Sequence, residues 1–424
     1  MLEGLAGNKL KTLASSCLEA IRLAWHELEE NGTPADKFLS EFYRSNHKYG
    51  SRDRHAITSS VFAFFRWKGC LEKLFEIDRE NIPGPALSAA LAADEPSCAV
   101  FPFWCNVAPD ALAAMKDPFE RLRTVTDTDL DLDAYDLVPE WMPGEVPEQI
   151  RQAWLDGLAT RPSLWLRAQN ITATEVVRRL AAQGIQAERG SEILVDAVRV
   201  KTQHVHLDQL KGLAGNCEVQ DFSSQCILWP AEPLPKERWW DCCCGAGGKT
   251  LQLAAEGGSK VRIFASDIRS DITEQLKKRA LAARFRNIQI VTPLAGSLGE
   301  YDGVVVDAPC SASGRWRRNP EMRWIFKKEE LVKLAKTQFA ILDKAANTVR
   351  PGGKLIYATC SVFDCENMGV VNKFLQARPD FKLTPFKNPH DGTKTDTDGT
   401  LATLPCHADC DCSFTALLVR NGDQ

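Results

Sequence analysis

No run in this 424-residue chain approaches eighteen consecutive apolar residues, so a transmembrane helix is excluded. The opening residues, MLEGLAGNKLKTLASS, lack a basic segment followed by an apolar one, and no export signal is expected. Internal repeats and low-complexity tracts are missing too, which argues against a solenoid or a disordered array. Neither sign of charge dominates: 52 basic and 56 acidic residues leave a formal net charge of −4. The chain is therefore not coated in positive charge, though a local basic patch would suffice for a nucleic acid. Cysteine, by contrast, is plentiful. Fifteen of them, an odd number in a long chain without an export signal, read as reduced thiols in a cytoplasmic protein.

The length allows two or three domains. Residues 1–125 read as all-helical: Leu10, Leu13, Cys17, Ile21, Trp25 and Leu28 recur at helical spacing, and Asn31-Gly32 stops the helix. HAITSSVFAFFRWKGCLEKLF is a second, more apolar helix. Residues 126–145 are acidic and proline-bearing and read as a linker. Residues 146–217 read as a small α+β unit, with LWLRA as a strand and Thr172 and Glu175 as a capping box for the helix that Gly184 ends. From 218 to 424 the rhythm is strand, loop, helix: RWWDCC, VRIFASDI, IQIV, YDGVVVDA, GKLIYATCS and FTALLVR are strands. Such alternation predicts a doubly wound, mostly parallel sheet.

DCCCGAGGKT (241–250) joins the first of these strands to its helix. A phosphate loop would need glycine five residues before Gly248, where Cys243 stands. A dinucleotide fingerprint would need glycine at Thr250. Adjacent thiols point to opposite faces of a strand, so Cys242, Cys243 and Cys244 cannot close on one zinc. The CHADCDC stretch (406–412) has metal-ligand residue types but tight spacing and no second half, and no metal is expected. What remains is the first loop of a class I methyltransferase, where small residues let the backbone approach S-adenosylmethionine. Asp267, ending the next strand, is placed to accept ribose hydroxyls, although capping the next helix is the simpler role.

Two further strands end in DAPCS (307–311) and TCS (359–361). If they are neighbours, Asp307, Cys310 and Cys360 converge beside the cofactor. Methylation at C5 of a pyrimidine needs such a set: a thiolate adds at C6, a group at N3 stabilises the developing charge, and another assists release.

DCCCGAGGKT, DAPCSASGRWRRNPEMRW and PGGKLIYATCSVFDCEN together resemble the RsmB/Sun family of S-adenosylmethionine-dependent RNA cytosine-C5 methyltransferases. EVQDFSSQ and DCSFTALLVR are similar to the family's entry and exit segments, PSLWLRAQN to its small RNA-binding subdomain, and SRDRHAITSSVFAFFRW to the NusB-like domain of some members. The resemblance implies a Rossmann-like class I methyltransferase whose last strand is antiparallel. It makes Cys360 the nucleophile and Cys310 the assistant in release. Asp307 contacts the cytosine, and Lys249 lies where cofactor and base meet. Cys243, Cys244, Gly245, Ala246, Gly247, Gly248 and Lys249, with Asp267 and Asp307, would line the cofactor. The sequence departs from the family at Ala246, where proline is usual, at IVTPLAG (290–296), which offers no aspartate for adenine, and at Asp411 to Phe414.

GRWRRNPEMRW follows the second motif. Arg315, Arg317, Arg318 and Arg323 alternate with Trp316 and Trp324, which suits phosphates and splayed bases of single-stranded RNA; a solvated charged face is the plainer alternative. Ribosomal RNA is favoured over transfer RNA by the NusB-like head alone, and a monomer is expected. Rival readings are a DNA cytosine-C5 methyltransferase, with Cys310 as nucleophile and no TCS expected, a non-catalytic RNA-binding or assembly factor, and a methyltransferase of proteins or small molecules.

Overall fold

The computed structural model describes residues 7–202, 207–292, 299–390 and 397–422, with the side chain of residue 208 excepted. The chain divides into two compact units. One is made of residues 1–144, 151–161 and 316–328, the other of residues 145–150, 162–315 and 329–424.

The first unit is helical. Its opening helix, Gly7–Asn31, buries Leu13, Cys17, Ile21, Trp25 and Leu28 on the face that the spacing predicts. Gly32, at φ 63°, ends it. The helix Ser51–Leu74 buries Phe64, Phe65 and Trp67 and lies at the centre of the unit. The stretch expected to be a linker, 126–145, is packed into this unit: Leu132, Leu137 and Met142 are buried. Its short turn Ala134–Leu137 lies so close to the central helix that a Cβ at Gly69 would stand 2.0 Å from the Asp136 carbonyl oxygen. Acidic residues in this stretch alternate with the apolar ones that dock, which is why composition alone reads as a linker.

The second unit holds two sheets. The smaller has the order β2-β3-β1-β4, all antiparallel, with β1 Leu164–Ala168, β2 Ala187–Arg189, β3 Ala197–Val200 and β4 Cys217–Val219. The expected boundary at 217/218 thus falls inside β4, which pairs with β1. Thr172 caps the helix Ala173–Ala181 by accepting from the Glu175 N–H. The Glu175 side chain bonds Arg178 and Arg179 in place of closing the box.

The larger sheet contains β5 Arg238–Asp241, β6 Arg262–Ala265, β7 Ile288–Ile290, β8 Tyr301–Asp307, β9 Val349–Thr359, β10 Phe381–Leu383, β11 Thr400–Thr403 and β12 Ser413–Arg420. Its order is β10-β12-β9-β8-β5-β6-β7, with β11 paired to β12. Strands β5 to β9 run parallel, and β12 is antiparallel to β9. Apolar side chains cover both faces. Trp239, Ile263, Val305 and Ile356 face one core, and Trp240, Phe264, Val304, Val306 and Tyr357 the other. Burial on both faces is what turns such strands into continuous apolar runs. The winding reverses between β5 and β8, and in an open sheet that crevice at the strand ends is where ligands sit.

Candidate active site

Past Asp241 the chain leaves β5 and turns into the helix Gly248–Gly257. The three cysteines therefore lie in the turn and not on the strand. Gly245 (φ 50°) and Gly247 (φ 91°) take left-handed conformations that side chains resist. A Cβ at Gly247 would stand 2.2 Å from Leu276 Cδ1, whereas one at Gly245 or Gly248 would meet nothing within 4 Å. The turn lacks proline at Ala246. Arg279 compensates from the neighbouring helix, donating to the Ala246 carbonyl at 2.5 Å while pairing with Glu218 on β4 at 2.7 Å. Beneath the turn, Asp241 is fully buried and accepts from Thr250 at 2.7 Å; burial pushes its pKa up to about 7.

A cavity of about 650 Å³ opens over these strand ends. Cys243, Cys244, Gly245, Ala246, Gly248 and Lys249 line it from the first loop, Asp267 from β6, and Asp307, Cys310 and Cys360 from the next two strands. Gly247 does not; its φ and its closeness to Leu276 make it a packing glycine. The stretch after β7, where an adenine contact is missing from the sequence, falls largely outside the described residues.

Asp267 receives the Gly245 N–H at 3.0 Å and is clasped by Arg269 at 2.9 and 3.1 Å. Burial works against its charge, but these donors hold its pKa below the usual carboxylate range. Beside it, Ile268 is 88% exposed and lines the cavity, an apolar side chain free to cover a ligand ring.

β8 and β9 are neighbours, and their ends bring the two thiols together. Cys310 Sγ and Cys360 Sγ are 3.4 Å apart. The hydrogen bond with Cys310 holds the Cys360 pKa below that of an ordinary thiol against the effect of burial, and the charges of Arg315 and Lys249 act in the same direction. The same hydrogen bond, with burial, pushes Cys310 up. Lys249 Nζ donates to Asp307 at 2.7 Å and to Ser224 Oγ at 3.3 Å. Burial opposes its ammonium, yet Asp307 outweighs burial and holds its pKa above the ordinary value.

The arginine-tryptophan run divides. Arg315 is exposed and lines the cavity, and Arg318 is half-buried. Trp316, Arg317 and Arg323 are 1%, 2% and 0% exposed, within the helical unit, which corrects the expectation that they face RNA. Arg317 donates to Thr160 and accepts from Arg66 through its carbonyl, Arg323 donates to the Arg66 carbonyl, and Trp316 packs on Phe326. The apolar half of the run is docked, and docking takes the two arginines with it. The 406–412 stretch has Cys410 and Cys412 buried and Cys406 exposed. Among the described residues no three histidine, cysteine or acidic side chains are grouped to hold a metal, and no helix is long and apolar enough to cross a membrane.

Glu366 escaped the sequence reading. Fully buried, it accepts from Ser311 and Ser361, the residues after the two cysteines. The repeated Cys-Ser pair is the one signal that could have pointed to it.

The strand order and the loop after β5 are those of a class I methyltransferase. Residues 228–419 match the model of the 16S rRNA methyltransferase RsmB/F family. The chain is 29% identical over 333 residues to the "Probable ribosomal RNA small subunit methyltransferase B" of Bacillus subtilis, covering 73% of this chain and 70% of that protein. It is 32% identical over 264 residues to the ribosomal RNA small subunit methyltransferase B of Yersinia pestis, covering 59% and 61%. In structure it is similar to PH0851, with a TM-score of 0.70 and 22% identity over 96% of this chain and 98% of that one, which is a likeness of fold. S-adenosylmethionine is the cofactor of such a domain. The residues fit it: a glycine turn open to the cavity, an acidic residue at the end of β6, and a space of the size that holds drug-sized ligands.

Proposed function

We propose that this protein transfers a methyl group from S-adenosylmethionine to C5 of a cytosine in RNA, through a covalent bond between Cys360 and C6. The observation that carries the proposal is the pair of thiols at 3.4 Å on adjacent strand ends, with Lys249 and Asp307 in the same cavity. A methyltransferase of other substrates would leave that pair idle.

The bound cofactor supplies an electrophilic methyl group. The Cys360 thiolate adds to C6, and the ring's C5 becomes nucleophilic and takes the methyl group. Asp307 contacts the cytosine, and the Lys249 ammonium that it holds balances the negative charge that thiolate addition develops on the ring. Water then takes the C5 proton, and Cys310 donates to the leaving sulfur as the C6–S bond breaks, which returns the Cys360 thiolate. A cytosine in a paired stem must be flipped out to reach this cavity. Ribosomal RNA of the small subunit is the substrate favoured by the names of the relatives and by the NusB-like resemblance of the helical unit. Arg315, at the cavity mouth, and Arg318 are the RNA contacts kept from the arginine run. The cytoplasm is the compartment where such a substrate and fifteen reduced thiols belong.

The test is to incubate the purified protein with labelled S-adenosylmethionine and with bulk RNA, DNA or no nucleic acid, and to look for 5-methylcytosine. Label in RNA is expected. Label in DNA alone supports the DNA enzyme, and no label with any substrate supports a non-catalytic factor; either result overturns the proposal.

A further inference from the structure

The buried carboxylate behind the two cysteines has no role in the reaction just described. Glu366 Oε1 accepts from the Ser311 N–H at 2.9 Å and from Gln338 Nε2 at 2.8 Å. Oε2 accepts from the Ser311 and Ser361 hydroxyls, each at 2.5 Å. The Ser311 N–H and Gln338 Nε2 can only donate, and both hydroxyls are placed to donate as well, so the four bonds suit a carboxylate. Gln338 reaches on to the Pro309 carbonyl at 3.0 Å, and Asn367, next to Glu366, donates to the Ser361 carbonyl at 2.9 Å.

A buried charge is a costly way to fill space, and an apolar side chain would pack as well. What an apolar side chain cannot do is grip two loops at once. Ser311 shares a peptide bond with Cys310, and Ser361 shares one with Cys360. The carboxylate therefore ties the end of β8 to the end of β9 directly behind the thiols. The tie is also lopsided. Through Ser311 it binds the peptide N–H beside Cys310, whereas on the other loop it holds only a hydroxyl.

We propose that Glu366 is the positioning residue of the two-cysteine site: it sets the gap between Cys310 and Cys360 and decides which of the two becomes the thiolate. Its negative charge disfavours a second negative charge at Cys310, where it adds to the upward shift already present. Cys310 thus keeps its proton and donates to Cys360. The inference rests on the proposed cysteine chemistry but needs no RNA to be tested.

The experiment is differential alkylation of the full-length protein with iodoacetamide at pH 8, with peptide mass spectrometry following each cysteine. In the wild type Cys360 is expected to react before Cys310. Glu366→Gln should reduce the ratio of the two rates about tenfold, the effect of about one pKa unit on one thiol. Melting temperature and S-adenosylmethionine affinity report that the variant is folded. If that variant does not fold, Ser361→Ala, which keeps the charge and removes one tie, should reduce the ratio about threefold, or half a pKa unit. A wild type in which Cys310 reacts first overturns the proposal, as does an unchanged ratio in the folded variant. Because alkylation uses no nucleic acid, a failure here is separate from a failure to find 5-methylcytosine.

Discussion

At the ends of β8 and β9 one proton can serve two sulfurs 3.4 Å apart. The first thiol of such a pair ionises easily because the second donates to it; the second ionises with difficulty because it would then face a like charge. Multiple turnover is therefore expected to follow a bell-shaped pH profile. Adduct formation rises as pH climbs through the lowered ionisation of Cys360, and release falls once Cys310 loses its proton at a higher pH than an ordinary thiol. A pH series of steady-state rates checks this, and the two apparent values belong to the pair. The roles proposed for the two sulfurs differ in kind. Cys360→Ala is expected to lower turnover at least about a thousandfold. Cys310→Ala should instead accumulate a protein–RNA adduct that survives denaturing electrophoresis. Adduct trapped by the Cys360 variant in its place would exchange the two assignments.

The loop after β5 shows how an element tolerates an unusual sequence. Without proline at Ala246, the turn is shaped by two left-handed glycines and by Arg279 on its carbonyl. The two glycines are not equivalent. Gly247→Ala forces a Cβ into Leu276 and should cost about 1–3 kcal/mol of stability, as overpacking does, and weaken S-adenosylmethionine binding. Gly245→Ala meets open space and carries only the left-handed backbone penalty of about 1–2 kcal/mol. Thermal melts should rank the two variants in that order, whereas cofactor titration should show the larger loss for Gly245→Ala, because Gly245 lines the cavity. Sequence pattern located this loop because strand, turn and helix are contiguous. It did not show which glycine packs and which faces the ligand, since Leu276 comes from the next helix.

For the whole molecule, the consequential division is within residues 315–324. Arg315→Ala is expected to weaken RNA binding in a filter assay with little change in melting temperature. Arg323→Ala should do the reverse, lowering the melting temperature of the helical unit by several degrees, because its buried guanidinium bonds the Arg66 carbonyl. A basic run looks the same in sequence whether it is solvated or docked. Here the tryptophans were the informative residues: Trp316 is buried and Trp324 donates to the Phe65 carbonyl at 2.7 Å.

By itself the sequence determined the alternation that makes a parallel sheet, the helical face of residues 10–28, and the strand-end positions of the two thiols, the aspartate and the lysine that line one cavity. Each of these is written locally, as periodicity or as a motif at a strand end. Tertiary structure decided the rest: that 126–145 is packed, that Arg317 and Arg323 are interior, and that Glu366 stands behind both cysteines. These are pairings between distant segments, 55 residues in the case of Ser311 and Glu366. Hydrogen bonds and burial across such separations depend on how elements are brought together, and the chain carries no local pattern that records it.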